Sequence, residues 1–264
     1  MRHSPLTELA LLARAPDEAL DLERLVVAIA RTARPALEHA AVAAELDRIA
    51  ERVADTVTPS GPPDRVAAGL ARVLGVDLGF HGTPAAYDSA DGSYIDRVLE
   101  TRTGLPILLT IVWILVGRRI GLEIRGIGYP GHFLARLELP GAPIYVDPFE
   151  GGVQMDVADL LDRLPSGVGR TVLDPSPTRA IVTRVLTNLK HLHLEQRDHA
   201  AALGTVDRLL LVAGEVASEV RDRGLLLLHL ERPSEAKRDL TRYLTLAPSA
   251  SDRHHVEAVL ARCG

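Results

Sequence analysis

The sequence predicts an α+β core covered by N-terminal helices and followed by an all-α tail. Three observations support this: aromatic residues clustered in mid-chain, a long apolar helix followed by short strands, and a helical repeat near the C-terminus. The 264 residues suit one large domain or two small ones. Eight of the nine aromatic residues lie between Phe80 and Phe149, whereas the flanks are rich in helix-forming Ala, Leu and Arg.

Composition excludes several classes of protein. The formal net charge is −5 and there is no basic tract, which argues against a nucleic-acid partner. The N-terminus lacks a signal pattern, and the longest apolar stretch, 106–117, is shorter than the roughly 20 residues that span a bilayer. A soluble cytoplasmic protein without a membrane partner is therefore expected. The single cysteine, Cys263, excludes a disulfide framework and a multi-cysteine zinc site.

Residues 1 to about 75 are predicted to be helical. Apolar residues recur at helical spacing between Leu20 and Ile29, and another helix is predicted from about Leu37 to Val57. The Thr-, Pro- and Gly-containing segment 58–63 is a predicted loop. Asp64 is then expected to cap a helix that runs through residue 74.

The aromatic window predicts a helix followed by an antiparallel sheet. A short helix is expected at 94–101, and a proline at position 106 fits the first turn of the apolar helix, which ends at the cations and glycine of 118–121. Gly131 and Pro140-Gly141 separate three strand-like segments. These segments are Leu122–Tyr129, His132–Leu139 and Pro143–Asp147.

From about residue 177 the pattern is helical and repeats with a period of 34 residues. The repeat pairs Asp198, Ala202, Val206, Leu209, Leu210 and Val212 with Arg232, Ala236, Leu240, Tyr243, Leu244 and Leu246. This period is typical of tetratricopeptide helix pairs that pack closely at small residues. An ordinary helical bundle is the alternative.

Three features of the aromatic window have the residue types of a nucleophile, a base and an orienting acid. They are the start of the apolar helix at Gly104-Leu105-Pro106, His132, and Asp147. A helix start stabilises an anion through its dipole and free N–H groups. His132 and Asp147 are 15 residues apart, so neighbouring antiparallel strands can bring them together.

Taken in order, the motifs of this window resemble those of the transglutaminase-like superfamily, and of a bacterial branch of it that often carries C-terminal tetratricopeptide repeats. The resemblance covers about residues 20–160 and, more weakly, 180–250. It rests on Gly79-Phe80-His81-Gly82, Ser93-Tyr94-Ile95, Val98 to Ile107, Pro130-Gly131-His132-Phe133 and Asp147 to Gly152. It implies a papain-like core with a cysteine at the central helix start, a His on the next strand and an Asp on the following one. We expect this domain to span residues 1–175 and a tetratricopeptide-like domain to span 176–264.

This chain departs from the pattern where that cysteine is expected. The cysteine position falls at Pro106 or within about two residues of it, and 105–108 is Leu-Pro-Ile-Leu. The nearest hydroxyls are those of Thr103 and Thr110. The resemblance implies a branch that commonly lacks the cysteine, so His132 and Asp147 would remain as a dyad without a thiol. No cysteine-dependent transamidation or proteolysis follows from this sequence.

For the other candidate residues, the sequence allows either a structural or a functional role. Arg102 would bind an anion or form a buried ion pair, and Tyr94 and Tyr129 would line a ligand site or belong to the core. His132 would be a base, a ligand-binding group or a structural histidine, and Asp147 would serve a site or shape the turn before Pro148. No metal site or cofactor is expected, although a metal set of His81 with the dyad stays an alternative.

Two functions follow as hypotheses, with a ligand-binding module as a third. The favoured one is a non-catalytic, regulatory or interaction protein that docks a protein partner through its core and tetratricopeptide-like region. The alternative is a cysteine-independent hydrolase or acyltransferase. In that case His132 and Asp147 would activate Thr103, Thr110 or a water molecule.

Overall fold

The structure is a computed structural model that describes residues 4–261. Within this range helices predominate and one antiparallel sheet lies in mid-chain, so the predicted α+β class is confirmed. No helix within the described range is long and apolar enough to cross a membrane. Cys263, used above to exclude disulfide and zinc frameworks, lies outside the described residues.

Four α-helices form the N-terminal cover, as predicted. They are α1 Pro5–Leu12, α2 Leu22–Ala33, α3 His39–Ala54 and α4 Pro63–Leu70, the last continuing as a π-helical segment, Ala71–Asp77. Asp21 caps α2 by accepting a hydrogen bond from the Arg24 N–H. The prediction that Asp64 caps the fourth helix is wrong: Pro62 is the cap residue and Pro63 opens the helix, because a first-turn proline loses no hydrogen bond there.

The centre of the fold is an apolar helix wrapped by other elements. The short helix α5 Ile95–Thr101 leads to α6 Pro106–Arg119, whose residues 106–117 are all buried. Such a helix has no solvent face, so it must be enclosed on every side. Its neighbours include α3, α5 and the first two strands of the sheet.

The sheet lies against α6 with four strands in sequential order. They are β1 Ile124–Ile127, β2 Leu134–Leu137, β3 Ile144–Asp147 and β4 Val153–Met155. All neighbours are antiparallel, and Ala135 faces Val146 in the β2–β3 register. The first three strands lie within the predicted segments. The fourth was not predicted, because it has three residues and follows the Gly151-Gly152 turn.

The C-terminal part is all-α and confirms the predicted tetratricopeptide-like packing. After α7 Val157–Asp162 come α8 Thr178–Glu195, α9 His199–Ala213, α10 Ala217–His229, α11 Pro233–Leu246 and α12 Arg253–Leu260. The most extensive contacts are between α8 and α9 and between α10 and α11. Ala202 and Ala236, paired by the 34-residue shift, are fully buried at equivalent points of α9 and α11. A Cβ on Gly224 of α10 would lie 2.8 Å from the Leu240 side chain, which shows how closely α10 and α11 approach.

Helix α8 belongs to both parts of the molecule. It packs on α9, yet it also contributes to the main core around α6. Its residues in that core are Ile181, Val182, Val185, Leu186 and Leu189. The domain boundary expected at 175/176 therefore falls just before a helix that the core uses. Removing the chain from residue 176 would expose this apolar face.

The close approach at Ala236 can be tested by overpacking. We expect Ala236→Leu to destabilise the fold by about 1–3 kcal/mol, because added methylenes in a close-packed site force side chains and backbone apart. Denaturant unfolding followed by far-UV circular dichroism measures the change. Lys237→Leu is the control, since it adds an apolar side chain at the adjacent exposed position of α11. Equal stability of both variants would contradict close packing at Ala236.

Candidate functional site

His132 and Asp147 meet at one end of the sheet that rests on α6, just before the start of β2 and at the end of β3. His132 follows a tight turn in which its N–H donates to the Tyr129 carbonyl, 2.9 Å away, and Gly131 adopts a φ of +72°. That positive φ favours glycine. The β2–β3 register carries Asp147 to within two residues of His132, and His132 Nε2 lies 2.7 Å from Asp147 Oδ2. The contact therefore comes from local strand pairing.

Asp147 is held from both sides. Its Oδ1 accepts hydrogen bonds from the backbone N–H groups of Phe149 at 2.9 Å and Glu150 at 3.4 Å, while Oδ2 faces the imidazole. The carboxylate side chain is only 7% exposed, whereas that of His132 is 25% exposed. A buried carboxylate needs such donors. Asp147 therefore shapes the turn after β3 and orients the imidazole at the same time.

Two aromatic rings extend this site outward. The Phe149 ring meets His132 edge-on at 5.7 Å between centroids, and Tyr87 lies 6.1 Å from Phe149. A Cβ at Gly82 would collide with the Phe149 ring, and the Gly82 N–H donates to the Phe149 carbonyl at 2.7 Å. Tyr87 is 50% exposed. No sequence motif marks Tyr87 beyond its place in the aromatic cluster, so it is not among the predicted site residues.

The Tyr87 hydroxyl also has an altered acidity. Partial burial raises its pKa, the Asp147 charge raises it further, and Arg184 of α8 acts in the opposite sense. The charges of Asp147 and Arg184 therefore shift the pKa of the Tyr87 hydroxyl in opposite directions. The phenol remains protonated and available as a hydrogen-bond donor at neutral pH, because the change is upward from a value near 10.

The start of α6 offers no nucleophile to the dyad. Leu105, Pro106, Ile107 and Leu108 are apolar and buried. Thr110 is also fully buried, and its hydroxyl donates to the carbonyl of Phe133 at 3.2 Å, directly beside His132 in the chain. The Thr103 hydroxyl contacts that of Thr101 at 3.2 Å. Across residues 4–261, no hydroxyl forms a hydrogen bond with the His132 imidazole.

The three residues predicted to bind a ligand have other partners. Arg102 Nη2 donates to Glu45 at 2.6 Å, and its guanidinium lies 4.7 Å from the Phe80 ring centre. Tyr94 is buried beneath the Arg34 guanidinium, and the Tyr129 hydroxyl donates to the Leu160 carbonyl at 2.7 Å. Only Tyr129 belongs to the His132 turn, and its polar group is directed to α7.

The described residues contain no group of three or more His, Cys, Asp or Glu side chains arranged to hold a metal ion. His81, the third member of the alternative metal set, has Nδ1 2.8 Å from the Gly79 carbonyl. The geometry therefore gathers the dyad and two aromatic rings, while the threonines remain bonded elsewhere.

The dyad geometry predicts the tautomer of His132. A carboxylate only accepts hydrogen bonds, so the neutral imidazole should carry its proton on Nε2. Asp147→Asn presents an NH₂ group there if its oxygen keeps the Phe149 N–H, and we expect the proton to move to Nδ1. Long-range ¹H–¹⁵N NMR distinguishes the tautomers, with His81 as the internal reference. A wild-type Nδ1–H signal for His132 would contradict the assignment.

The Arg102–Glu45 pair predicts acid sensitivity. Hydrogen bonds from Arg48 and then Arg102, opposed by burial, lower the pKa of Glu45 from 4.5 to about 2. Its contribution to stability is therefore complete above about pH 4.5 and is lost as the pH falls toward 2. We expect Glu45→Gln to be less stable than wild type at pH 7, with the difference shrinking across that window in urea unfolding.

The matched control for this pH series is Glu51→Gln, at an exposed position of the same helix. It should follow the wild-type pH profile. A Glu45→Gln difference that stays constant between pH 5 and pH 2.5 would show that the ion pair does not stabilise the fold.

Comparison with known proteins agrees with the fold and the order of motifs. The model of the transglutaminase-like superfamily matches residues 40–187, and a tetratricopeptide repeat model matches residues 189–261. A UPF0162 protein of Xylella fastidiosa strain 9a5c is 34% identical over 257 residues, which cover 94% of this chain and 90% of that protein.

More distant relatives extend over most of the chain. The UPF0162 protein YchA of Escherichia coli K12 is 26% identical over 210 residues, covering 77% of this chain and 78% of that protein. Protein SirB1 of Salmonella typhimurium is 25% identical over 211 residues, with the same coverage. No solved structure matches. The chain belongs to the transglutaminase-like superfamily and carries C-terminal tetratricopeptide repeats.

Proposed function

We propose that this protein is a non-catalytic, transglutaminase-like interaction or regulatory module, a pseudoenzyme whose partner is a protein. The observation that carries the proposal is the closed start of α6. Four buried apolar residues, 105–108, occupy the place where the superfamily's nucleophile is expected. A dyad with no positioned nucleophile lacks the first element of covalent acyl transfer.

The tail supports the same reading. Stacked helix pairs of this kind present surfaces on which partner segments dock. The net charge of −5 and the absence of a basic tract favour a protein partner over a nucleic acid. The proposed location is the cytoplasm, and no cofactor is proposed.

A second candidate function is a hydrolase or acyltransferase that uses His132 and Asp147 without a cysteine. The specific observation in its favour is the 2.7 Å contact between Nε2 and Oδ2, which leaves Nδ1 as the basic nitrogen of a partly exposed imidazole. Because the hydroxyls of Thr103 and Thr110 already have partners, water is the nucleophile that this reaction would require.

The two functions predict different results in one assay. Full-length protein is incubated with a panel of ester, peptide-amide and amine-acceptor substrates, beside the His132→Ala variant. The proposal expects wild type and variant to give the same background rate. Turnover that His132→Ala abolishes would refute the non-catalytic proposal and establish the second function.

The interaction itself needs a positive result. Full-length wild type and His132→Ala, used as baits in quantitative affinity capture, should both retain the same protein at a fixed stoichiometry. Failure of both baits to retain any protein above the empty matrix would refute the interaction proposal. Full-length baits are required, because truncation at residue 176 would remove part of the main core.

A further inference from the structure

A groove of about 520 Å³ runs along α8 between the tail and the core. Its apolar wall includes Phe133, Pro177 and Ala180, and Thr183 and Arg184 lie one helical turn farther on. Phe133, which follows His132 in the chain, is buried and forms the floor of the groove, whereas the described lining does not include His132 itself. The groove lies between the first helix of the tail and the sheet, and not between the two repeats.

One arginine of the groove, Arg179, forms hydrogen bonds within the fold. Arg179 donates to the carbonyls of Ala13 at 3.1 Å, Ala15 at 2.8 Å and Val212 at 2.6 Å, and to Asp17 at 2.8 Å. Its positive charge is balanced by Asp17, and its donors are directed to the N-terminal segment and α9. Arg179 therefore stabilises the wall of the groove, and few of its N–H donors remain free to bind a ligand.

Arg184 differs from Arg179 in both exposure and pairing. It is exposed and lines the groove, and among residues 4–261 its side chain has no hydrogen-bond or ion-pair partner. Once Arg179 and Asp17 cancel, Arg184 leaves the groove with one uncompensated positive charge. The Thr183 hydroxyl likewise has no partner in the described part of the chain. A carboxylate complements a free guanidinium, because it accepts two parallel hydrogen bonds from it.

The dimensions of the groove favour an extended chain. Pro177, the cap residue of α8, and residues 178–187 of the helix together span about 15 Å at 1.5 Å per residue. An extended peptide rises about 3.3 Å per residue, so about four or five residues would lie along this length. Outside the groove, the half-exposed Tyr87 ring lies 6.1 Å from that of Phe149, which meets His132 at 5.7 Å.

We propose that the α8 groove docks an extended acidic peptide segment of the protein partner, with a carboxylate on Arg184 and an apolar side chain against Phe133 and Ala180. This inference rests on the proposed interaction function and names the chemistry of its partner.

The test uses full-length protein and a phage-displayed library of random 12-residue peptides. We expect enriched peptides to combine Asp or Glu with a nearby apolar residue. Synthetic copies of these peptides are then titrated by fluorescence anisotropy. Because an exposed ion pair contributes modestly and charge reversal adds repulsion, Arg184→Glu should weaken binding about tenfold, and added salt should weaken binding to wild type.

A second variant tests the groove independently of charge. Ala180 is exposed on α8, so Ala180→Trp fills the groove at little risk to folding and should also weaken binding about tenfold. The controls are Arg65→Glu, at an exposed arginine without a described partner, and Ala200→Trp, at an exposed alanine of α9. Both controls should stay within about twofold of wild type.

Several results would overturn the inference. Peptides enriched without acidic residues, or bound equally by the wild type and the Arg184→Glu variant, would refute the carboxylate contact. Competition by acetate or citrate at concentrations similar to the peptide would indicate a small-molecule site. If no peptide binds while affinity capture still retains a partner, the inference fails and the proposed function stands; if both fail, so does the proposed function.

Discussion

The structure depends on the burial of α6. Its first twelve residues are buried and apolar apart from Thr110 and the final glycine, so no face of this helix tolerates water. The helix can be stable only if other elements enclose it. The N-terminal helices, the sheet and α8 together provide this cover, and each of them places part of its own apolar surface in the same cluster.

That burial also limits the chemistry of the dyad. A nucleophile at a helix start must reach a substrate, whereas residues 105–108 are enclosed with the rest of α6. The contact between His132 and Asp147 also has a structural role. Asp147 satisfies the N–H groups of the following turn, and its removal would leave the N–H groups of Phe149 and Glu150 without this acceptor. A His–Asp pair that resembles a catalytic dyad is therefore compatible with a structural role, in which Asp147 stabilises the turn after β3.

The parts of the fold that local pattern determines could be predicted from the sequence. The apolar run predicted α6, and the glycine and proline breaks predicted three strands. Because the β2–β3 connection is short, the His132–Asp147 contact could also be predicted. Contacts between distant segments could not be predicted in this way. The partner of Arg102 is 57 residues away in sequence, and Tyr87 meets Phe149 only through the packing of its loop. The two-residue difference at the start of α4 has a local cause instead, since Pro63 takes the first turn and Pro62 is the cap residue.

Helix α8 connects the tail to the core through packing, hydrogen bonds and ion pairs. On one side its apolar residues enter the main core, and Arg179 ties it to the N-terminal segment and α9. On the other side Lys190 donates to Glu219 at 2.7 Å and Asp222 at 3.1 Å of α10. Burial alone would lower the pKa of Lys190, but these carboxylates outweigh it and raise the pKa, so the ammonium stays charged. Because both attachments lie on the same helix, a ligand on its remaining face would contact the sheet and the repeats together. In the proposed α8 groove the described lining includes Ala213 at the end of α9, so a shift of α9 against α8 would alter the shape of the groove.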